Sequence, residues 1–362
     1  MQKMIKLFDP SVGKEEEHAL RKTFHSHFWS SGSGNGKVSQ FENLYNNYIG
    51  SKECVAVSSG SAGLQLALSL IDVKNKEVIL PSLTFVATAN AIVLNGGTPI
   101  FVDVDPQTLC IDPEKIRKKI TKKTKVILPV HYGGLSCDLD AINNLCKQHN
   151  LFLIEDAAHA TGTLYKNKMI GTHGFAVCHS FNPTKNLVMP TGGAITLNAN
   201  NSKKLKTTLN SKRWCGIFNR QGTKYDVTDI GWNYFMNEFS AVMGIEQLKK
   251  LDKILTKKKK IAQRYFNELN LTKKMSFDQD CSYHLYWIRV KNRKKFMISM
   301  LEHHIETGIH YQPVHTMSYY KIKNSNLPIT SQIGNDVVSL PMHANLSNSD
   351  ISKIIEITNK FL

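Results

Sequence analysis

Three short stretches hold residue types that could do chemistry together. Asp156 closes the apolar run LFLIED. Open α/β sheets receive ligands outside the carboxyl ends of their strands, so an acid there is poised to meet one; the alternative for Asp156 is a helix N-cap. Lys185 follows in HSFNPTKN, on a loop rather than on an amphipathic face. A lysine in a partly apolar pocket sheds its proton and can form a Schiff base with a carbonyl compound, although a lone loop lysine usually lies at the surface. SSGSAGLQL, from Ser58 to Leu66, sets a Gly-Ser pair where a strand turns into a helix. Free backbone N–H groups and the positive end of a helix dipole suit a phosphate there, while small residues at such a turn also serve close packing. No Gly-x-Gly-x-x-Gly follows a predicted strand and no Gly-x-x-x-x-Gly-Lys-Ser/Thr is present, which argues against dinucleotide and P-loop enzymes.

These residues need a scaffold, and the hydrophobic pattern supplies one. ECVAVSSG reads as a short strand ending in small residues, and SAGLQLALSLI as an apolar-periodic helix. The alternation repeats with a strand at Glu77–Leu80, a helix near Ala87–Asn95 and a strand at Pro99–Val104. KVILPVHYGG, a helix near Leu139–His149 and LFLIEDAAHATG continue it. Short buried strands alternating with helices predict an α/β fold with a mostly parallel central sheet covered on both faces. Upstream, Lys14–His25 reads as an acidic helix and the glycine-rich Ser30–Gly36 as a loop. Downstream, GGAITLN is a strand candidate, and GWNYFMNEFSAVMGIEQLKKLDKIL begins a long helix that TKKKKIAQRYFNEL extends. Beyond about Asn270 the alternation stops, CSYHLYWIRV reads as an alternating strand, and a smaller α+β domain is expected.

At 362 residues the chain is long enough for about two domains with a sizeable core. Hydrophobic residues at 41% and charged residues at 21% argue against extended disorder. No apolar run approaches the roughly 18 residues of a membrane span, and the first twenty residues lack a signal-like apolar core, so a soluble, cytoplasmic protein is expected. The seven cysteines are dispersed without a Cys-x-x-Cys, suggesting neither a disulfide framework nor a zinc site. A net charge of +17 raises the question of nucleic acid. Of the 46 basic residues only seven are Arg, the residue suited to bidentate readout, and the lysines are scattered. A solvated lysine surface that helps anionic substrates approach is the expectation instead; no metal, nucleic-acid or membrane partner is expected.

Together, a phosphate-binding helix start, the aromatic of TFVATAN, the acid at a strand end and Ser-Phe-x-x-x-Lys before a Gly-Gly strand suit an enzyme that holds pyridoxal 5'-phosphate. The ordered stretches FENLYNNYIGSKECVAVSSGSAGLQLAL, PSLTFVATANAIVLNGGTPIFVDVDPQTL, VILPVHYGG, IEDAAHATG, SFNPTKN, GWNYFMNEFSAVMGIEQLKKLD, SYHLYWIRV, HYQPVH and LPMH run through nearly the whole chain. They resemble the DegT/DnrJ/EryC1/StrS sugar aminotransferases of the aspartate aminotransferase fold, fold type I.

The resemblance implies roles residue by residue. Lys185 would bond the cofactor and shuttle the proton, Asp156 would hold the pyridine nitrogen protonated, and His159 would stand near the phenolic oxygen, a structural histidine being the alternative. Phe85 would stack on the ring, or else pack in the core, with Ala158 leaving room on the other face. Gly60, Ser61, Ala62 and Ser180 would surround the phosphate, and Asn233 in GWNY would reach it from the neighbouring subunit, implying a homodimer with shared sites. His310, Tyr311 and His315 of HYQPVH, with Trp29 and Ser30, would line the approach of a nucleotide-linked sugar. The implied organisation is an N-terminal segment (1–35) near the substrate entrance, a large cofactor domain (36–248) and a small C-terminal domain (249–362). The implied reaction moves an amino group from glutamate to a keto group of a nucleotide-linked deoxysugar, for a surface polysaccharide or other glycoconjugate. A dehydratase of the same family and a non-enzymatic cofactor-bound regulator are the alternatives; Lys185 opposes the first, since dehydrating members carry His there. Four positions depart from the family pattern: Pro190 and Thr191 in the loop after the lysine, Phe235 where many members have Arg, and Ser61 where Thr is commoner.

Overall fold

A computed structural model describes residues 3–321 and 326–362. Seven strands build the central sheet: β1 (Glu53–Val57), β2 (Glu77–Pro81), β3 (Thr98–Val102), β4 (Thr124–Ile127), β5 (Phe152–Asp156) and, after a small hairpin of β6 (Leu164–Tyr165) and β7 (Lys168–Met169), β8 (Ala176–Ser180) and β9 (Gly193–Leu197). Their order is β1-β9-β8-β5-β4-β2-β3. The strands from β8 to β3 are all parallel, while β9 runs antiparallel to both β8 and β1. Both faces are covered, which explains the near-continuous apolar runs. Successive residues of one strand enter different cores: Val55 and Val57 pack on one face, Cys54 and Ala56 on the other.

The helices are α1 (Lys14–His25), α2 (Lys37–Ile49), α3 (Gly60–Leu68), α4 (Val86–Leu94), α5 (Pro113–Arg117), α6 (Leu139–His149), α7 (Ser202–Lys212), α8 (Glu238–Glu268), α9 (Arg293–Glu302), α10 (Pro328–Asp336) and α11 (Asn348–Lys360). Helix α8 starts where the Asn237 side chain accepts from Ser240 N–H, so GWNYFMN precedes it as irregular chain rather than as its first turns. It then runs 31 residues, through residue 248 and the lysine run, because Leu251, Ile254, Ile261 and Tyr265 keep an apolar stripe on the core. Between α7 and α8 a hairpin of β10 (Ile217–Gln221) and β11 (Lys224–Val227) stands largely exposed. In the C-terminal part β12 (Tyr286–Arg289) pairs antiparallel with β13 (Val337–Leu340).

Here the structure corrects the alternating strand expected over CSYHLYWIRV. Only Tyr286–Arg289 are extended, and all four are buried, so both faces are covered. The residues before them turn through a left-handed Tyr283 (φ 47°), which releases His284 from the sheet. Among the described residues no helix is long and apolar enough to cross a membrane.

Candidate active site

The sheet brings the chemistry to one edge. Strands β5 and β8 end at Asp156 and Ser180, β1 runs into the α3 turn, and antiparallel β9 begins at the same edge, with Gly193 opposite both Val57 and Ser180. This close approach explains two glycines. A Cβ on Gly193 would lie 2.5 Å from the carbonyl carbon of Ser59, and one on Gly60 would lie 2.7 Å from Cβ of Ser180. The α3 turn and the end of β8 are thus in contact, and Gly60, Ser61 and Ser180 border one cavity of about 320 Å³. The Ser59 hydroxyl accepts from Ala62 N–H at 3.1 Å, capping α3. Ala62 itself is buried inside the helix and does not line the cavity.

Asp156 lies on the cavity wall, 4% exposed. No helix begins there, so it is not an N-cap. Its Oδ2 accepts from the Thr88 hydroxyl at 2.8 Å and its Oδ1 from Ala158 N–H at 3.1 Å. Burial raises its pKa above the ordinary carboxylate value, against the pull of Thr88, the Ala158 amide and Lys185, which favour the anion. Lys185 is half-buried and borders the same cavity. Burial outweighs the attraction of Asp156 and lowers its pKa to about 8, so a useful fraction is free amine near neutral pH. This is an amine in a cleft, not a surface lysine.

His159 is also buried on this wall. Gly133 N–H donates to its Nδ1 at 3.2 Å, so the ring proton sits on Nε2, which donates to the Tyr311 hydroxyl at 2.9 Å. Burial, with Lys185 nearby, holds the ring neutral, its pKa well below the usual value. Next to it His284, Phe8 and His310 complete a ring-lined wall: His159 and His284 centroids are 4.3 Å apart, and Phe8 stacks on His284 at 5.6 Å. His310 Nδ1 meets Ser339 Oγ at 3.0 Å. Phe85 is 56% exposed and opens onto the cavity, so its ring is not core packing. Thr191, in the loop after the lysine, borders the cavity and donates its hydroxyl to the Ser58 carbonyl, which ties that loop to the α3 turn.

Ten of the residues singled out in the sequence therefore meet here: Gly60, Ser61, Phe85, Asp156, Ala158, His159, Ser180, Lys185, His310 and Tyr311. Besides Ala62, four lie elsewhere. His315 is buried away from the cavity with Nδ1 2.6 Å from Ser82 Oγ and Nε2 3.1 Å from Ser331 Oγ, so it ties two segments together rather than lining the approach. Trp29 is 44% exposed and stacks on Phe24, and Ser30 bridges Asn237. Asn233 is exposed beside Trp214. Sequence reasoning passed over Thr88, Phe8, His284 and Asn182, which all border the cavity. Thr88 was within reach: it lies three residues after Phe85 at the start of α4, the spacing that shares a helix face. Among the described residues no group of three or more metal-binding side chains gathers.

The chain is similar to known proteins over nearly its whole length. The spore coat polysaccharide biosynthesis protein SpsC of Bacillus subtilis is 37% identical over 369 residues, covering 96% of this chain and 94% of its own. PseC of Helicobacter pylori, an aminotransferase involved in the biosynthesis of pseudoaminic acid, superimposes with a TM-score of 0.93 at 26% identity, covering 99% of each chain. Spr1654 of Streptococcus pneumoniae in its PLP form gives a TM-score of 0.92 at 25% identity, covering 99% of this chain and 100% of its own. The model of one family matches residues 10–359, and the chain accordingly belongs to the DegT/DnrJ/EryC1/StrS aminotransferase family.

Proposed function

We propose that this aminotransferase uses pyridoxal 5'-phosphate to move an amino group from glutamate to a keto group of a nucleotide-linked deoxysugar destined for a surface polysaccharide or other glycoconjugate. The observation that carries this reading is the pairing of buried Asp156 with the proton-shedding Lys185 in one cavity. The residues present fit the cofactor. The turn that Gly60 allows to press against Ser180 is a cradle a side chain would fill, and with Ser61 it offers amides and hydroxyls to a phosphate. Asp156 suits the ring nitrogen, and Phe85 and Ala158 suit its two faces.

When bound, the cofactor supplies an electron sink for the charge left on a substrate carbon after a proton departs. Asp156, desolvated and held by Thr88, would hold the cofactor's ring nitrogen and favour a proton there. Lys185 would hold the cofactor through its amine and, once free beside the substrate carbon, would take up and return the proton there. His159 gives its Nε2 proton to Tyr311, which fixes both groups beside the ring. With a ketosugar in place of the donor, the same residues would move the proton in the opposite direction.

On the substrate side, His284, His310 and Tyr311 offer neutral donors and acceptors to a hydroxylated ring. The net charge of +17 favours the approach of a diphosphate. A homodimer with shared sites would bring the exposed Asn233 to the second chain's phosphate cradle and Trp29 and Ser30 to its entrance, and would operate in the cytoplasm. The part of SpsC in spore coat polysaccharide biosynthesis and that of PseC in pseudoaminic acid biosynthesis support the sugar.

The test is the absorbance of wild type and Lys185→Ala with pyridoxal phosphate, before and after glutamate. Wild type is expected to show a band near roughly 410–430 nm that moves toward roughly 330 nm with glutamate, and the variant to lack it. The aminated form is then offered nucleotide-ketosugars and the product weighed by mass spectrometry. A band unaffected by Lys185→Ala overturns the cofactor assignment, one unmoved by glutamate overturns the donor, and no aminated nucleotide sugar overturns the acceptor.

A further inference from the structure

A cavity of about 1020 Å³ opens in the C-terminal part and shares no lining residue with the active site. Its walls come from the end of β12, the start of α9, the end of α10, residues 271–273 and the last residues of α11 with those that follow. Its most buried charge is Arg289, 7% exposed, whose Nε and Nη2 donate to Asp336 Oδ1 and Oδ2, each at 2.8 Å. This bidentate pair engages the one acidic side chain among the described residues of the walls, so no uncommitted side-chain carboxylate is there to repel an anion.

Four exposed lysines border the same cavity: Lys273, Lys291, Lys295 and Lys360. Elsewhere on the surface lysines pair with acids, as Lys166 does with Asp140, Lys206 with Glu53 and Lys212 with Asp229. Among the described residues none of these four has such a partner. Leu362 borders the cavity too, and a carboxylate there still leaves the cations in excess. Asn292 gives its side-chain oxygen to Lys295 N–H at 3.2 Å, which leaves its amide hydrogens for a ligand. Like charges gathered on one recess repel one another, and an anion between them relieves that repulsion. A phosphate ester carries about −1.5 to −2 near pH 7, and lysine ammonium groups hold it as point charges. Beside the cations, Leu271, Val290 and Phe361 supply apolar surface, and Lys360 Nζ lies 5.3 Å over the centroid of the Phe361 ring. An inorganic anion makes no use of that surface, whereas a phosphorylated molecule with a flat ring does. The volume matches the upper end of small-molecule pockets, roughly 300–1,000 Å³.

We propose that this recess is a second binding site, for a nucleoside diphosphate either free or linked to a sugar: the lysines hold the phosphates, and Leu271, Val290 and Phe361 meet the nucleoside. Its residues take no part in amino transfer and its test reads binding alone, so it fails separately from the assignment of the main cavity.

The experiment is photolabelling of the cofactor-loaded protein with 5-azido-UDP and 8-azido-ADP, with the adducts mapped by mass spectrometry. At least one label is expected in the peptides that contain residues 271–273, 289–299 or 360–362, and to be displaced by the unmodified nucleotide. Replacing Lys291→Gln and Lys295→Gln together is expected to weaken this labelling by about tenfold or more, and Lys291→Arg with Lys295→Arg to keep it within about threefold. Both lysines are exposed, so the variants are expected to fold, and labelling of the main cavity serves as the internal control. A UDP-linked hexose that competes better than UDP assigns the sugar-linked form as the ligand; one that competes equally or less assigns the free diphosphate. Labels confined to the main cavity, or labelling of the recess that ignores the loss of the lysines, overturn the proposal. Displacement by inorganic pyrophosphate as effective as by the nucleotide overturns it too, because the apolar wall then recognises nothing. Displacement by single-stranded DNA at equal phosphate concentration overturns it in favour of a general polyanion surface.

Discussion

Replacing Thr88 by Val tests how the protein holds a buried carboxylate ready. Thr88 has one hydroxyl proton and three oxygens within reach: Asp156 Oδ2 at 2.8 Å, Thr84 Oγ1 at 2.8 Å and the Phe85 carbonyl at 3.0 Å. Thr84 has a proton of its own to give, so Thr88 receives from Thr84 and donates to Asp156. A hydrogen bond to a charged group contributes about 1.5–3 kcal/mol, and one between neutral groups about 1 kcal/mol. The difference, about 1 kcal/mol, is near the 1.4 kcal/mol of one pKa unit, so Thr88→Val is expected to raise the Asp156 pKa further by about one unit. The sign of the pH effect follows. The folded protein keeps a proton on Asp156 that the unfolded chain releases, so stability from this group is complete below the ordinary carboxylate value of 3.8 and falls as pH rises through the native value. Thr88→Val deepens that fall. Urea unfolding of the apoenzyme at fixed protein concentration, between about pH 4 and about pH 8, is expected to show a penalty growing from about 1 to about 2 kcal/mol. A penalty independent of pH would mean that the Thr88 proton does not serve the anion.

Three other perturbations have defined outcomes. His179 is fully buried with neither ring nitrogen partnered, and burial, then His131, push its pKa down to about 3; a histidine held neutral contributes stability present above its ordinary value of 6.5 and lost as pH falls below it. His179→Phe, edge-on to Tyr45 in the same slot, is expected to stabilise by about 1–2 kcal/mol near neutral pH and by more at acid pH, read from urea midpoints. His315→Ala is expected to lose about 2 kcal/mol of stability through its lost Ser82 and Ser331 bonds, while the KM for sugar substrate changes less than about threefold; a larger change would put His315 at the substrate. Gly60→Ala drives a Cβ against Ser180 and is expected to weaken cofactor binding by about tenfold or more in a spectrophotometric titration, and unchanged affinity would remove the cradle from the site.

The elements easiest to read were those whose apolar spacing and end signals agree. α1 and α6 occupy the spans expected, Lys14–His25 and Leu139–His149, and α6 starts on an Asp138 cap. Asp156 and Lys185 were legible because a strand end and a lysine-bearing loop leave local marks. β8 was not, since AVCHS carries few β-branched residues and is buried on both faces, so it shows no alternation. α2 was missed where Asn46, Asn47 and a glycine-rich approach dilute its apolar stripe. The reversal of β9 and the turn that frees His284 depend on pairings far along the chain, which no local window contains. For the same reason His315 misled: it shares a short segment with Tyr311, yet the chain after Pro313 turns it toward Ser82.

The single reversed strand has a consequence for biosynthesis. β1 touches the rest of the sheet only through β9, which is made much later in translation. As the chain leaves the ribosome, strands β2 to β5 can zip together in order, while β1 and the helix start behind it wait with an unpaired edge until residues 193–197 emerge. The long-range closure belongs to the slow end of folding. A nascent chain halted before Gly193 would therefore carry Asp156 and Lys185 with β1 still unpaired, and would not be expected to escape chaperones that recognise an open strand edge.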